Sequence, residues 1–193
     1  MIRRNGISDT ATIGSVTIGA SENHIGQIGG STKKIYAEFT RQANTTAYIA
    51  NDVVSPNATN TGGVTLPVVA RIAQGNGYIT GVRIVTDNAE TTGVQFRVHF
   101  GMLSTAFAET TDNSPFGLTY LKSSNQAYLG YIDLAATTTQ GGSSIAYIQD
   151  IAQRFPFMCE AADANLYFII ETLTGFTPAS GQKFSLHIFA EQN

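Results

Sequence analysis

A chain of 193 residues is long enough for one well-formed core. Only 13% of it is charged and the net charge is −3, which excludes long-range attraction to nucleic acid or to an anionic membrane. The single cysteine, Cys159, excludes an intrachain disulfide and any multi-cysteine metal site.

The first 34 residues read as an extended N-terminal arm. Ile13-Gly14-Ser15-Val16-Thr17-Ile18-Gly19-Ala20 and Ile25-Gly26-Gln27-Ile28-Gly29-Gly30 set single aliphatics among glycines and small polar residues. They hold too few large side chains to form a core alone, and glycine is costly to order. The arm therefore gains its shape either as an edge strand of its own domain or against a neighbouring copy or larger partner. In the second case Ile13, Val16, Ile18, Ile25 and Ile28 are the candidate contacts, with His24 as a hydrogen-bonding anchor. Arg3 and Arg4 precede no apolar block, so no signal peptide is expected, and the chain is expected to be made in a cytoplasm.

From residue 35 strand signals become regular. Ile35-Tyr36-Ala37-Glu38-Phe39-Thr40 is followed by residues 51–56 and then by a polar loop through Gly62-Gly63. Residues 66–72 are expected to pair next, and Gly75-Asn76-Gly77 to turn into a strand at 78–86. Residues 94–102 alternate most cleanly of all. Val94, Phe96, Val98, Phe100 and Met102 share one side, and Gln95, Arg97 and His99 the other. The stretch 104–124 is less regular, with a short helical turn expected near Pro115-Phe116-Gly117-Leu118-Thr119-Tyr120-Leu121. Further strands are expected at 127–134, 144–150, 155–159, 166–173 and 183–190, the last burying Phe184, Leu186 and Ile188. About eight to ten short strands with frequent turns give an all-β antiparallel β-sandwich, of jelly-roll type, over residues 35–193.

Chemistry is sparse. His99 and His187 lie on the polar sides of separate strands and could share a metal with Glu191 or Glu171 only if those strands were neighbours. The acids are scattered, and no tryptophan is present to stack a sugar. Asp112-Asn113-Ser114 has the composition of a calcium loop but not its spacing, and reads as a turn. Neither a Gly-x-Ser-x-Gly elbow nor a phosphate-cradling loop occurs. Cys159 sits in an apolar stretch and reads as a small buried hydrophobe. The expectation is no catalytic residue, no cofactor and no metal.

Several stretches, in order along the chain, resemble structural proteins of tailed-bacteriophage virions, particularly capsid decoration (auxiliary head) proteins. They are Glu22-Asn23-His24-Ile25-Gly26-Gln27-Ile28-Gly29-Gly30, Phe39-Thr40-Arg41-Gln42-Ala43-Asn44-Thr45-Thr46-Ala47-Tyr48-Ile49-Ala50-Asn51-Asp52-Val53-Val54 and Gly175-Phe176-Thr177-Pro178-Ala179-Ser180-Gly181-Gln182-Lys183-Phe184. Asp112-Asn113-Ser114-Pro115-Phe116 and Tyr128-Leu129-Gly130-Tyr131-Ile132-Asp133-Leu134 are similar to the middle of the same proteins. The resemblance implies a non-enzymatic jelly-roll-like subunit, often trimeric, seated on a virion shell and bound to the major capsid protein or another virion protein. A different reading is a neck, tail or fibre module that binds host glycans, with Tyr120, Tyr128 and Tyr131 as its aromatic candidates.

Overall fold

The computed structural model describes residues 31–117, 127–148 and 154–193. Among these the chain forms, in order, β1 (Ser31–Thr40), β2 (Val53–Val54), β3 (Val64–Leu66), β4 (Asn76–Thr86) and β5 (Phe96–Gly101). The second half forms β6 (Tyr128–Asp133), β7 (Thr138–Gln140), β8 (Ser143–Ile148), β9 (Phe155–Met158), β10 (Leu166–Thr172) and β11 (Lys183–Gln192). Two antiparallel sheets result. The six-stranded sheet runs β1-β11-β4-β8-β7 with β9 also on β4, and the five-stranded sheet runs β2-β10-β5-β6 with β3 also on β10.

The pairing follows one rule. β1 pairs with β11, β2 and β3 with β10, β4 with β8, and β5 with β6, so the first half of the chain meets the second half in reverse order. That is a long two-stranded ribbon, closed beyond β5 and wrapped so that β11 also meets β4 and β10 also meets β5. A folded ribbon of this connectivity is a jelly roll. The fold class read from the sequence is therefore the fold observed.

Alternation drives the packing. On β11 the side chains of Phe184, Leu186, Ile188 and Ala190 are buried, and Ile79, Val82 and Ile84 of β4 are buried beside them. Phe96, Val98 and Phe100 of β5 and Leu166, Phe168 and Ile170 of β10 face them from the other sheet. Aromatic rings lock this layer. Phe39 stacks on Phe184 at 5.7 Å, and Phe96 meets Phe184 and Phe176 edge-on, each at 5.9 Å. Cys159 is buried, as read, and burial raises its thiol to about 11.

One expectation changes. The strand expected over 66–72 ends at Leu66, because Pro67 has no N–H to pair and Val68 takes φ 50. The 78–86 and 94–102 segments lie in opposite sheets, each finding its partners elsewhere along the ribbon. The helical turn near 115–121 falls partly outside the described residues, and its described start instead forms a β-bridge between Pro115 and Asp52.

Phe96→Ala should cost about 3–5 kcal/mol, because it opens a cavity between two aromatic neighbours. Chemical denaturation of the two proteins checks this; a loss under about 1 kcal/mol would mean that the inter-sheet layer is not packed as described.

Candidate interaction surfaces

Strand periodicity turns Arg97 and His99 to the outer side of the five-stranded sheet, and register sets them beside Asp133, Tyr131 and Glu171. That outer side is not open. The connection after β5 folds back over it, so that Ala106 and Phe107 pack with Val53, Ala127 and Ile169 as a second apolar cluster. Phe116 stacks on the His99 ring at 3.8 Å, leaving His99 only 2% exposed. Its Nε2 lies 2.8 Å from Glu171 Oε2 and its Nδ1 2.8 Å from the Tyr128 hydroxyl. Burial holds the imidazole below its ordinary value against the pull of Glu171, so the neutral ring donates from Nε2 to the carboxylate and accepts from Tyr128. Arg97 donates to both oxygens of Asp133, at 2.5 and 3.0 Å, and lies 4.0 Å over the Tyr131 ring. His187 is in the other sheet, so the two histidines share no metal site. Among the described residues no group of three or more His, Cys, Asp or Glu could hold a metal ion.

A second polar cluster closes one end of the sandwich. Arg41, just past β1, is buried with its guanidinium 3.2 Å from Asp112, which is also buried. The Tyr48 hydroxyl accepts from Arg41 Nε at 2.8 Å and donates to Asp112 Oδ1 at 2.5 Å. Arg41 also donates to the carbonyls of Asn44 and Ala179, and Asp112 accepts from the Ser55 amide. Four loop segments distant in sequence meet on one ion pair. Desolvation, then the Asp112 charge, pushes the Tyr48 phenol far above its usual value. Asn113 takes φ 58, consistent with the expected turn at 112–114. The cluster ties these loops to one another.

The outer side of the six-stranded sheet is different. Register places Tyr36, His187, Arg83 and Tyr147 in one row across β1, β11, β4 and β8. Tyr36 stacks on His187 at 5.5 Å, and Arg83 Nη2 lies 3.2 Å from His187 Nδ1. Since a guanidinium only donates, Nδ1 accepts and Nε2 carries the ring proton, which it donates to Ser185 Oγ at 3.0 Å. Ser185 thus receives a hydrogen bond and has no base to activate it. Burial, then the charges of Arg83 and Lys34, lowers His187 to about 4. Phe189, Val85 and Ile145 flank the row half-buried, while Tyr36 and Tyr147 stay 61% and 56% exposed. β1 ends the sheet order, so one edge of this ten-residue strand has no strand partner among the described residues.

The expected contacts Ile13, Val16, Ile18, His24, Ile25 and Ile28 lie outside the described residues, as does Tyr120. Tyr128 is tied to His99, whereas Tyr131 is 49% exposed. Sequence reasoning missed the Tyr36 to Tyr147 row. Its signal was present, because these residues are the outward members of alternating strands, but which strands adjoin is set by the ribbon.

No protein-family model matches the chain, and no curated protein matches it. Similar solved structures include the Cyanophage Pam1 capsid asymmetric unit, 13% identical, covering 86% of this chain and 89% of that one at a TM-score of 0.36. The acidic stable capsid structure of Helicobacter pylori bacteriophage KHP30 is 13% identical, covering 84% and 90% at a TM-score of 0.29. Turnip yellow mosaic virus is 10% identical, covering 86% and 82% at a TM-score of 0.26. The fold assignment rests on the strand order of the chain itself.

Two experiments follow from this geometry. Asp112→Ala should cost about 3–5 kcal/mol by stranding the buried Arg41 charge, whereas a loss under about 1 kcal/mol in denaturant titration would remove the clamp from the account. Unfolded His187 takes up a proton near pH 6.5 while the folded ring resists until about pH 4. The unfolded state therefore binds more protons between those values, and stability falls as pH drops through that window. His187→Gln should flatten this dependence in melting curves collected from pH 7 to 4; an unchanged slope would contradict it.

Proposed function

We propose that the chain is a virion structural protein, a capsid decoration subunit that works by burying surface against the shell and against its own copies. The observation that carries this reading is the exposed aromatic face of the six-stranded sheet, bordered by an edge of β1 that has no strand partner among the described residues. The resemblance of its motifs to phage decoration proteins supports the same reading. The fold alone does not select it, because jelly rolls serve as lectin domains as well as capsid subunits. No described residue cluster competes as a reaction centre, since the Ser185 hydroxyl lacks a base and the His99 ring is sealed.

In this function the arm, residues 13–30, is the attachment element. Its spaced aliphatics Ile13, Val16, Ile18, Ile25 and Ile28, with His24, make the contact with a partner surface, the major capsid protein or another virion protein, a neighbouring copy included. Burial of about 800 Å² per partner suffices for one stable contact, and repetition around a shell multiplies it. The subunit is a homo-oligomer in this reading, a trimer, and resides in the virion.

A second reading, a host-glycan module on a neck, tail or fibre, is favoured by exposed Tyr131 with Arg97 against its ring. Specific, saturable binding on a glycan array would select it.

Deleting residues 1–30 should leave the β-sandwich folded by circular dichroism yet abolish incorporation into particles. Incorporation of the truncated protein at the level of the full chain would remove the arm from the mechanism.

A further inference from the structure

Among the described residues Arg83 makes no ion pair, and its Nε is buried without a hydrogen-bond partner. The acids bordering its face are engaged elsewhere, Glu38 with Lys183 and Glu191 with Arg154. A guanidinium left so, between two exposed tyrosines, is built to receive a carboxylate from outside. We propose that the row of Tyr36, His187, Arg83 and Tyr147 seats the arm of a second copy of this chain, with the Glu22 carboxylate on the Arg83 guanidinium. This inference rests on reading the arm as an attachment element and names what it attaches to.

Charge complementarity singles out Glu22. Residues 10–30 contain no Lys or Arg, and Glu22 is their only acid. Apolar complementarity points the same way, since Ile25 and Ile28 follow Glu22 among small residues that let a backbone lie close, and the row is flanked by Phe189 on one side and by Val85 and Ile145 on the other. Length suffices. Glu22 lies nine residues before Ser31, a reach of about 30 Å when extended. That reach is several times the roughly 4.8 Å spacing of neighbouring strands, so Glu22 can pass beyond the edge of its own sheet. Extension along the β1 axis past Ser31 leads away from Tyr36 of the same copy and so toward the sheet of a neighbour. A chain with 13% charged residues also suits a surface covered by other copies.

The test uses the full chain without any shell, so its result is independent of particle incorporation. Solution mass should show an oligomer for the native chain. Arg83→Glu and Glu22→Arg should each weaken assembly about tenfold or more, and the double exchange should restore it. Unchanged mass in the single variants, a double variant that does not recover, or a native chain that is monomeric at every concentration would each overturn the inference. Should Arg83→Glu misfold, the Glu22→Cys chain mixed with the Tyr147→Cys chain provides a second arm of the test, Cys159 being buried. A disulfide-linked pair of the two variants under mild oxidation is expected, and its absence overturns the inference. Loss of incorporation on arm deletion together with a monomeric native chain would spare the proposed function while removing this contact.

Discussion

Everything in this molecule depends on how backbone hydrogen bonds are satisfied along a folded ribbon. Each strand of the first half finds its mate in the mirror position of the second half, from β1 with β11 to β5 with β6. Wrapping that ribbon buries two apolar faces against one another and leaves two outer faces to be dealt with. The connection beyond β5 covers one of them with Ala106, Phe107 and Phe116. The other keeps Tyr36 and Tyr147 at the surface. One closed face and one open face is the asymmetry from which the functional reading starts.

The polar groups divide along the same line. Arg41 with Asp112, and His99 with Glu171, are buried pairs whose partners are all in place, and they fix loops against the sheets. Replacing one member of such a pair is costly because the other is left charged or unpaired in a dry site. Arg83 differs from these ion pairs, and with Gln182 it is one of two described residues that bury a side-chain nitrogen without a hydrogen-bond partner. It sits in a row of aromatics with one histidine as neighbour and an orphaned Nε, on the face that no described segment covers. Completed ion pairs thus stabilise one end and the closed face, and a guanidinium without an ion pair among the described residues marks the other face.

Much of the fold was legible because period-two alternation survives any error about pairing. Val94 before β5, Phe96, Val98 and Phe100 on it, and Phe184, Leu186 and Ile188 on β11 point inward as their spacing requires, whereas Met102, past the register shift at Phe100/Gly101, packs with the outer apolar cluster instead. The strand over 66–72 misled because Val68, Val69, Ala70 and Ile72 look strand-like, while Pro67 ends the ladder. His99 stands on the polar side of its strand yet is buried, since a connection more than a dozen residues downstream supplies Phe116 as its cover. Arg41 and Asp112 are 71 positions apart, and nothing local to either announces the other. Side-chain direction was readable from neighbours in sequence; which distant segments meet was not.

Electron cryomicroscopy of particles carrying the chain bears most directly on the central claim that it acts through the surfaces it joins. The account predicts a jelly roll on the shell, with protein density covering the outer face of the six-stranded sheet and running along the outer edge of β1. A subunit whose Tyr36 and Tyr147 face bare solvent, with its contacts made elsewhere, would contradict it.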